Sequence, residues 1–261
     1  MRNIKAKRIV VKIGTNVMTN RNGTLNLSLM KSLIGQMGKI KKMGKDIIII
    51  TSGAIGAGMK ELHLNSKPKD VVMQQVCASI GQHILMSNYK AFFNRHGFKV
   101  AQILLTYNDF TNKRTFIYLK NSLNKLLDLG IIPIINENDP ISIDEIGPSF
   151  GDNDILSALI ASKIGAELLL ILTDVDGLFD KNPSHKNAKL IKEVANIDKR
   201  IESLGGNPNG LGLGGMKTKI KAAKIATKSG TTVVIANGKK DNILLEILRN
   251  EDIGTIFYAK I

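Results

Sequence analysis

The sequence predicts an α/β fold: a three-layer α/β/α sandwich with a mostly parallel central sheet. Three observations carry that expectation. Short runs rich in Ile, Val and Leu recur through all 261 residues. These runs are continuous rather than alternating, which suits strands buried on both faces. Most are separated by segments of helical periodicity, and alternating β and α elements favour a parallel sheet covered by helices.

The strand-like runs are RIVVKI (8–13), DIIIIT (46–51), VAQILL (100–105), IIPII (131–135), ELLLIL (167–172), TVVIA (232–236) and TIFYA (255–259). After the first of them, Leu29, Leu33, Ile34, Met37 and Ile40 form one apolar stripe in LNLSLMKSLIGQMGKIKKMG, with lysines elsewhere, and that stripe reads as core. Further helices are expected at about 70–95, 112–129, 153–164, 216–229 and 241–249. No repeat, low-complexity linker or composition break divides the chain, so 1–261 is expected to be one domain.

Composition narrows the function classes. The 43% hydrophobic and 23% charged content is that of a folded globular chain. The longest aliphatic stretches, Ile47 to Ile50 and Leu168 to Leu172, are too short to span a bilayer, and the N-terminus lacks a secretory cleavage pattern. Cys77 is the single cysteine, which rules out an intramolecular disulfide and a cysteine zinc site. Its setting in MQQVCASIGQ reads as core, and a reducing cytoplasm fits. The formal net charge is +15, yet aromatics make up only 5% and tryptophan is absent. Stacking platforms for nucleic acid are therefore missing. The lysines spread along helices as a solvated surface, which is compatible with attracting anionic substrates such as nucleotides.

In parallel α/β folds ligands bind beyond the carboxyl ends of the strands, so the loops there are the candidates for chemistry. After strand 1 stands KIGTN, whose Lys12, Gly14, Thr15 and Asn16 resemble an anion cradle. After strand 2 stands TSGAIGAG, where Ser52 and glycines 53, 56 and 58 open a helix whose amino end favours negative charge. INENDP (135–140) follows strand 4 and FGDND (150–154) closes the next loop, so acids and amides gather within a basic chain. Asp152 or Asn153 can also be read as an N-cap for the helix that follows. TDVDGLFDKNPS comes after strand 5.

NPNGLGLGGMKTK runs into a helix and resembles a phosphate loop, with Lys217, Thr218 and Lys219 on the first helical turn. Its formal G-x-G-x-x-G (Gly210, Gly212, Gly215) does not follow a strand, and no Walker A sequence is present. His63, His83, His96 and His185 are scattered and read as ordinary surface or core residues. No Ser-His-Asp order or G-x-S-x-G elbow suggests a hydrolase.

VVKIGTN, TSGAIGAG, IIPIINENDP, FGDNDILSA, LLILTDVDGLFDKNP and GLGGMKTKIKAAKIA occur in this order across nearly the whole chain. Together they resemble the glutamate 5-kinases of the amino-acid kinase superfamily; INEND with FGDND is the pair most specific to that group. The resemblance implies a transferase that phosphorylates the glutamate side-chain carboxylate with ATP and Mg²⁺, the first step of proline biosynthesis. It implies that Lys12 and Lys219 handle phosphate and that Asp154 positions them. Ser52, Gly53, Asp139 and Asn153 would contact glutamate, Asp139 through its ammonium group. ATP would face Lys12, Gly14, Thr173, Asp174 and the loop of Leu213, Gly214, Gly215, Met216, Lys217, Thr218 and Lys219. Glutamate would bind mainly in the N-terminal part and ATP mainly from about residue 165 onward. No protein ligand for the metal is implied.

Two positions depart from the group's usual pattern: Asn16 stands where serine is frequent and Leu213 where threonine is. The chain is also expected to lack the PUA domain that many bacterial members carry. A cytoplasmic homo-oligomer handing its product to glutamyl phosphate reductase is expected, with no nucleic acid or membrane partner. The nearest alternative within the superfamily is a kinase of a phosphate monoester, UMP or isopentenyl phosphate. The acidic and amide-rich pair favours instead an acceptor bearing an ammonium group.

Overall fold

The computed structural model describes residues 2–20, 23–106, 108–141, 153–206 and 215–260. The chain forms two compact units. One comprises Met1–Lys12 with Asp152–Ile261, and the other Ile13–Gly151. We refer to them as the terminal and central units.

In chain order the elements are β1 (Arg8–Ile13), α1 (Thr15–Met18), α2 (Leu27–Lys42), β2 (Asp46–Ile50), α3 (Ala54–Glu61), α4 (Val71–Asn94), β3 (Val100–Leu105), α5 (Asn108–Thr111), α6 (Lys113–Asp128), β4 (Ile132–Glu137), α7 (Asn153–Ile164), β5 (Leu168–Thr173), β6 (Glu193–Val194), α8 (Lys199–Ser203), α9 (Met216–Lys228), β7 (Thr232–Asn237), α10 (Ile243–Leu248) and β8 (Thr255–Phe257). The class is the α/β one expected, with mostly parallel strands.

In the central unit β4 lies between β3 and β2 and is parallel to both, with Ile49 opposite Ile134 and Val100 opposite Ile132. Ile47 to Ile50 are entirely buried, as a continuous aliphatic run requires. Helix α2 starts where the Asn26 side chain accepts the Leu29 amide, and Met30, Leu33, Ile34, Met37 and Ile40 form its buried stripe. Leu29, placed in that stripe from the sequence, is half-buried; Met30 is the residue fully in the core. The cap of α4 is Asp70 and that of α6 is Asn112, each accepting backbone amides of the first turn.

Helices α3 and α4 approach so closely that only glycine fits at two positions. A Cβ on Gly58 would sit 1.8 Å from the Cys77 carbonyl oxygen, and one on Gly81 1.8 Å from that of Ala54. Their role is space rather than flexibility.

In the terminal unit the strand order is β1–β5–β7–β8–β6. β5 and β7 run parallel from Leu168 opposite Thr232 to Thr173 opposite Asn237. The short β8 is antiparallel to β7, and β6 is parallel to β8. Leu168 to Leu172 and Val233 to Ala236 have no exposed surface, and each Leu, Ile and Val among them contributes roughly 1.5–3 kcal/mol through burial. β6 was not foreseen: two residues carry too little pattern to register as a strand.

Candidate active site

Three charged side chains distant in sequence converge in the terminal unit. Lys12 is the penultimate residue of β1, Asp154 lies in the first turn of α7, and Lys219 lies in the first turn of α9. The Lys12 ammonium is 2.5 Å from Asp154 Oδ1, and that of Lys219 is 3.0 Å from Oδ2. Asp154 is wholly buried, with Lys12 at 4% and Lys219 at 5% exposure. Burial by itself pushes the Asp154 carboxyl up, but the two ammonium groups outweigh it and hold its pKa down at about 2. The carboxylate thus stays ionised between two cations, and the trio keeps one net positive charge. The first turn of α7 also favours an acid there, because the helix amino end is partially positive.

Thr218 joins this cluster. Its Oγ1 is 3.1 Å from Asp154 Oδ2 and 2.9 Å from the carbonyl oxygen of Gly215, the N-cap residue of α9. The half-buried Gly215 and Met216 and the exposed Lys217 lead into that turn. Leu213, Gly214 and Asp152 lie outside the described residues. Asn153, read from the sequence as a possible cap, opens α7 as its first residue.

At the carboxyl end of β5, Thr173 Oγ1 donates to Asp174 Oδ1 at 3.3 Å; Thr173 is buried and Asp174 exposed. Nearby, Asp176 pairs with Lys240 at 3.0 Å and accepts from Asn237 Nδ2 at 3.0 Å. Burial raises the Asp176 carboxyl, yet the bonds from Lys240 and Asn237 and the Lys240 charge leave it lowered overall. Asn237 and Lys240 escaped the sequence reading. Their one signal was position, at the carboxyl end of a buried parallel strand and three residues beyond it.

The remaining candidates belong to the central unit. Gly14 is half-buried directly after β1. Ser52 follows β2 and is buried, and Gly53 adopts φ +101 as the N-cap of α3, a backbone conformation that needs glycine. Asp139, just beyond β4, lines a cavity of about 510 Å³ together with Glu137, Gln82, His83 and Lys90. Asn136 donates to Gln82 Oε1 at 2.9 Å, tying the end of β4 to α4. Glu137 and His83, given no task from sequence, both line this cavity. Among the described residues no helix is long and apolar enough to cross a membrane, and no three His, Cys, Asp or Glu side chains gather as a metal site.

Residues 7–237 match the amino acid kinase family. The chain is 48% identical over 254 residues to a protein named glutamate 5-kinase from Methanococcoides burtonii, covering 97% of this chain and 68% of that one. A glutamate 5-kinase from Clostridium perfringens is 45% identical over 259 residues, covering 98% of this chain and 96% of its own. One from Caldanaerobacter subterraneus subsp. tengcongensis is 48% identical over 252 residues, with 96% and 67% covered. Among solved structures, a UMP kinase from Bacillus anthracis superposes with a TM-score of 0.67 over 98% of this chain and 97% of its own. A UMP kinase from Ureaplasma parvum gives 0.63 over 98% of this chain and 100% of its own; with 16% sequence identity to each, these likenesses show the fold alone. The chain therefore belongs to the amino acid kinase family, on the glutamate 5-kinase branch of it.

Proposed function

We propose that the protein transfers the γ-phosphoryl group of ATP to the side-chain carboxylate of L-glutamate, giving L-glutamyl 5-phosphate, the first step of proline biosynthesis. The observation that carries this reading is the buried Lys12–Asp154–Lys219 cluster in a chain 45–48% identical to glutamate 5-kinases.

The nucleophile is a carboxylate, ionised at neutral pH, and needs no general base. The obstacle is repulsion between that carboxylate and the anionic phosphates. Catalysis then consists of positioning and of neutralising charge that spreads over the transferred phosphoryl oxygens. Lys12 and Lys219 supply positive charge. Asp154 holds both ammonium groups in one arrangement before substrate arrives, so their ordering does not have to accompany the reaction. Gly14, Thr173, Asp174 and the turn from Gly215 to Lys219 are assigned to the nucleotide, with Leu213 and Gly214 continuing that loop. Ser52, Gly53, Asp139 and Asn153 are assigned to glutamate, Asp139 opposite its ammonium group. Magnesium carried on nucleotide phosphates needs only one or two protein carboxylates, and Asp174 offers one at the end of β5. The bound ion would neutralise phosphate charge.

The same reading takes 1–261 as one kinase domain acting in the cytoplasm as a homo-oligomer. Its labile acyl phosphate would pass to glutamyl phosphate reductase. The test is incubation with ATP, Mg²⁺, glutamate and hydroxylamine, which traps an acyl phosphate as hydroxamate. Aspartate, N-acetylglutamate, UMP and no acceptor serve as comparisons. Glutamate-dependent hydroxamate is expected; its absence sinks the proposal, and phosphorylated UMP in its place would favour the monoester kinase.

A further inference from the structure

Thr218 stands out because its hydroxyl meets the catalytic cluster rather than open space. Its Oγ1 lies between two acceptors, Asp154 Oδ2 at 3.1 Å and the Gly215 carbonyl at 2.9 Å. A hydroxyl has one hydrogen to give. The Gly215 carbonyl already accepts the Thr218 amide at 3.2 Å, whereas the carboxylate is charged, and bonds to charged acceptors are about twice as strong as neutral ones. The hydroxyl therefore donates to Asp154 Oδ2, which accepts the bond as an ionised carboxylate. Capping offers no competing explanation, since the N-cap of α9 is Gly215 and no side chain caps it.

We infer that Thr218 is a positioning residue for phosphoryl transfer: its hydroxyl fixes the Asp154 carboxylate so that one oxygen serves Lys12 and the other Lys219. The last torsion of an aspartate is broad, so a carboxylate between two lysines can swing and carry both ammonium groups with it. A donor on Oδ2 from the residue next to Lys219 restricts that swing. It also shares the negative charge of Oδ2, which draws Lys219 less tightly into the ion pair. An ammonium has three N–H donors, and those turned away from Asp154 are then held for phosphoryl oxygens. This narrows the assignment of Thr218 to ATP: the backbone of the turn from Gly215 to Lys219 still faces the nucleotide, while the Thr218 hydroxyl serves Asp154.

The inference rests on the proposed kinase activity, so its test has an arm that needs none. Thr218→Val keeps the β-branched shape and helix propensity and removes the hydroxyl; Thr218→Ser keeps the hydroxyl. In the hydroxamate assay Thr218→Val is expected to lower kcat about tenfold with both KM values within about twofold, and Thr218→Ser to retain about half of wild-type kcat or more. Separately, with ¹³C-labelled aspartate at neutral pH, the Asp154 carboxylate signal, assigned through its loss in Asp154→Asn, is expected to shift in Thr218→Val and stay near wild type in Thr218→Ser. An unchanged kcat in Thr218→Val, a rise confined to the KM for ATP, or failure of Thr218→Ser to restore turnover overturns the inference. An unmoved Asp154 signal overturns it even if the wild-type protein makes no hydroxamate, a result that would independently remove the proposed function.

Discussion

Replacing Asp154 by asparagine keeps the shape of the side chain and removes its charge. In the wild-type protein this carboxylate is wholly buried between two ammonium groups that are themselves 4% and 5% exposed. An asparagine at the site turns one of its two polar ends into an NH₂ donor. One lysine then faces a donor, and both lysines lose their counter-charge. Breaking a buried pair by removing one partner destabilises by about 3–5 kcal/mol, because a buried charge is left uncompensated. For a chain of this size about 4 kcal/mol corresponds to a fall in Tm of roughly 8 °C. Turnover falls further than the binding constants, since the lysines remain present but no longer share one arrangement; a loss of about a hundredfold in kcat is expected. Adding Lys219→Met to Asp154→Asn removes one of the stranded charges and is expected to restore part of the lost Tm without restoring turnover.

Acid gives an independent reading of the same site. The Asp154 carboxyl lies at about 2 when folded against an ordinary 3.8. A lowered folded pKa adds stability above the unfolded value, and that stability is lost as pH falls through the folded value. Roughly 2 kcal/mol therefore disappears between about pH 4 and pH 2 in the wild type and not in Asp154→Asn. Thermal melts from pH 7 to pH 2, paired with the hydroxamate assay, measure both effects. An Asp154→Asn protein with Tm within about 2 °C and kcat within about threefold of wild type would refute the reasoning.

Lys12→Ala and Lys219→Ala each are expected to lower kcat about a hundredfold or more with the fold retained by circular dichroism; near-normal turnover in either removes that residue from the mechanism. Asp139→Ala is expected to raise the KM for glutamate about tenfold or more while the KM for ATP stays put, through loss of a charged partner for the substrate ammonium; an unchanged glutamate KM removes it from the acceptor site. Gly81→Ala places a Cβ 1.8 Å from the Ala54 carbonyl oxygen, so α3 and α4 must separate. A loss of about 1–3 kcal/mol or more is expected, read as Tm, and a Tm equal to wild type contradicts the close packing inferred there.

Much of this architecture is written in local pattern. β1 and β3 occupy the runs 8–13 and 100–105, and α7 the segment 153–164, because continuous aliphatic runs and helical periodicity are properties of neighbouring residues. The loops after the strands could be named as candidate sites for the same reason, since a parallel sheet puts its ligand loops at one end. Short elements left no such trace: α1, α8 and β6 are too brief to build a period.

What the sequence alone determined is the alternation of strands and helices, most of the residues that make up their buried faces, and the strand ends and helix starts at or beside which Lys12, Asp139, Asp154 and Lys219 stand. Only tertiary structure decided that Asp154 gives one oxygen to Lys12 and the other to Lys219 and Thr218, that Glu137 and His83 share a cavity with Asp139, and that Gly58 and Gly81 are fixed by space. The physical reason is range. Periodicity and turn chemistry act between neighbours along the chain, whereas burial, charge pairing and hydrogen-bond allocation depend on groups that meet only once distant segments have packed.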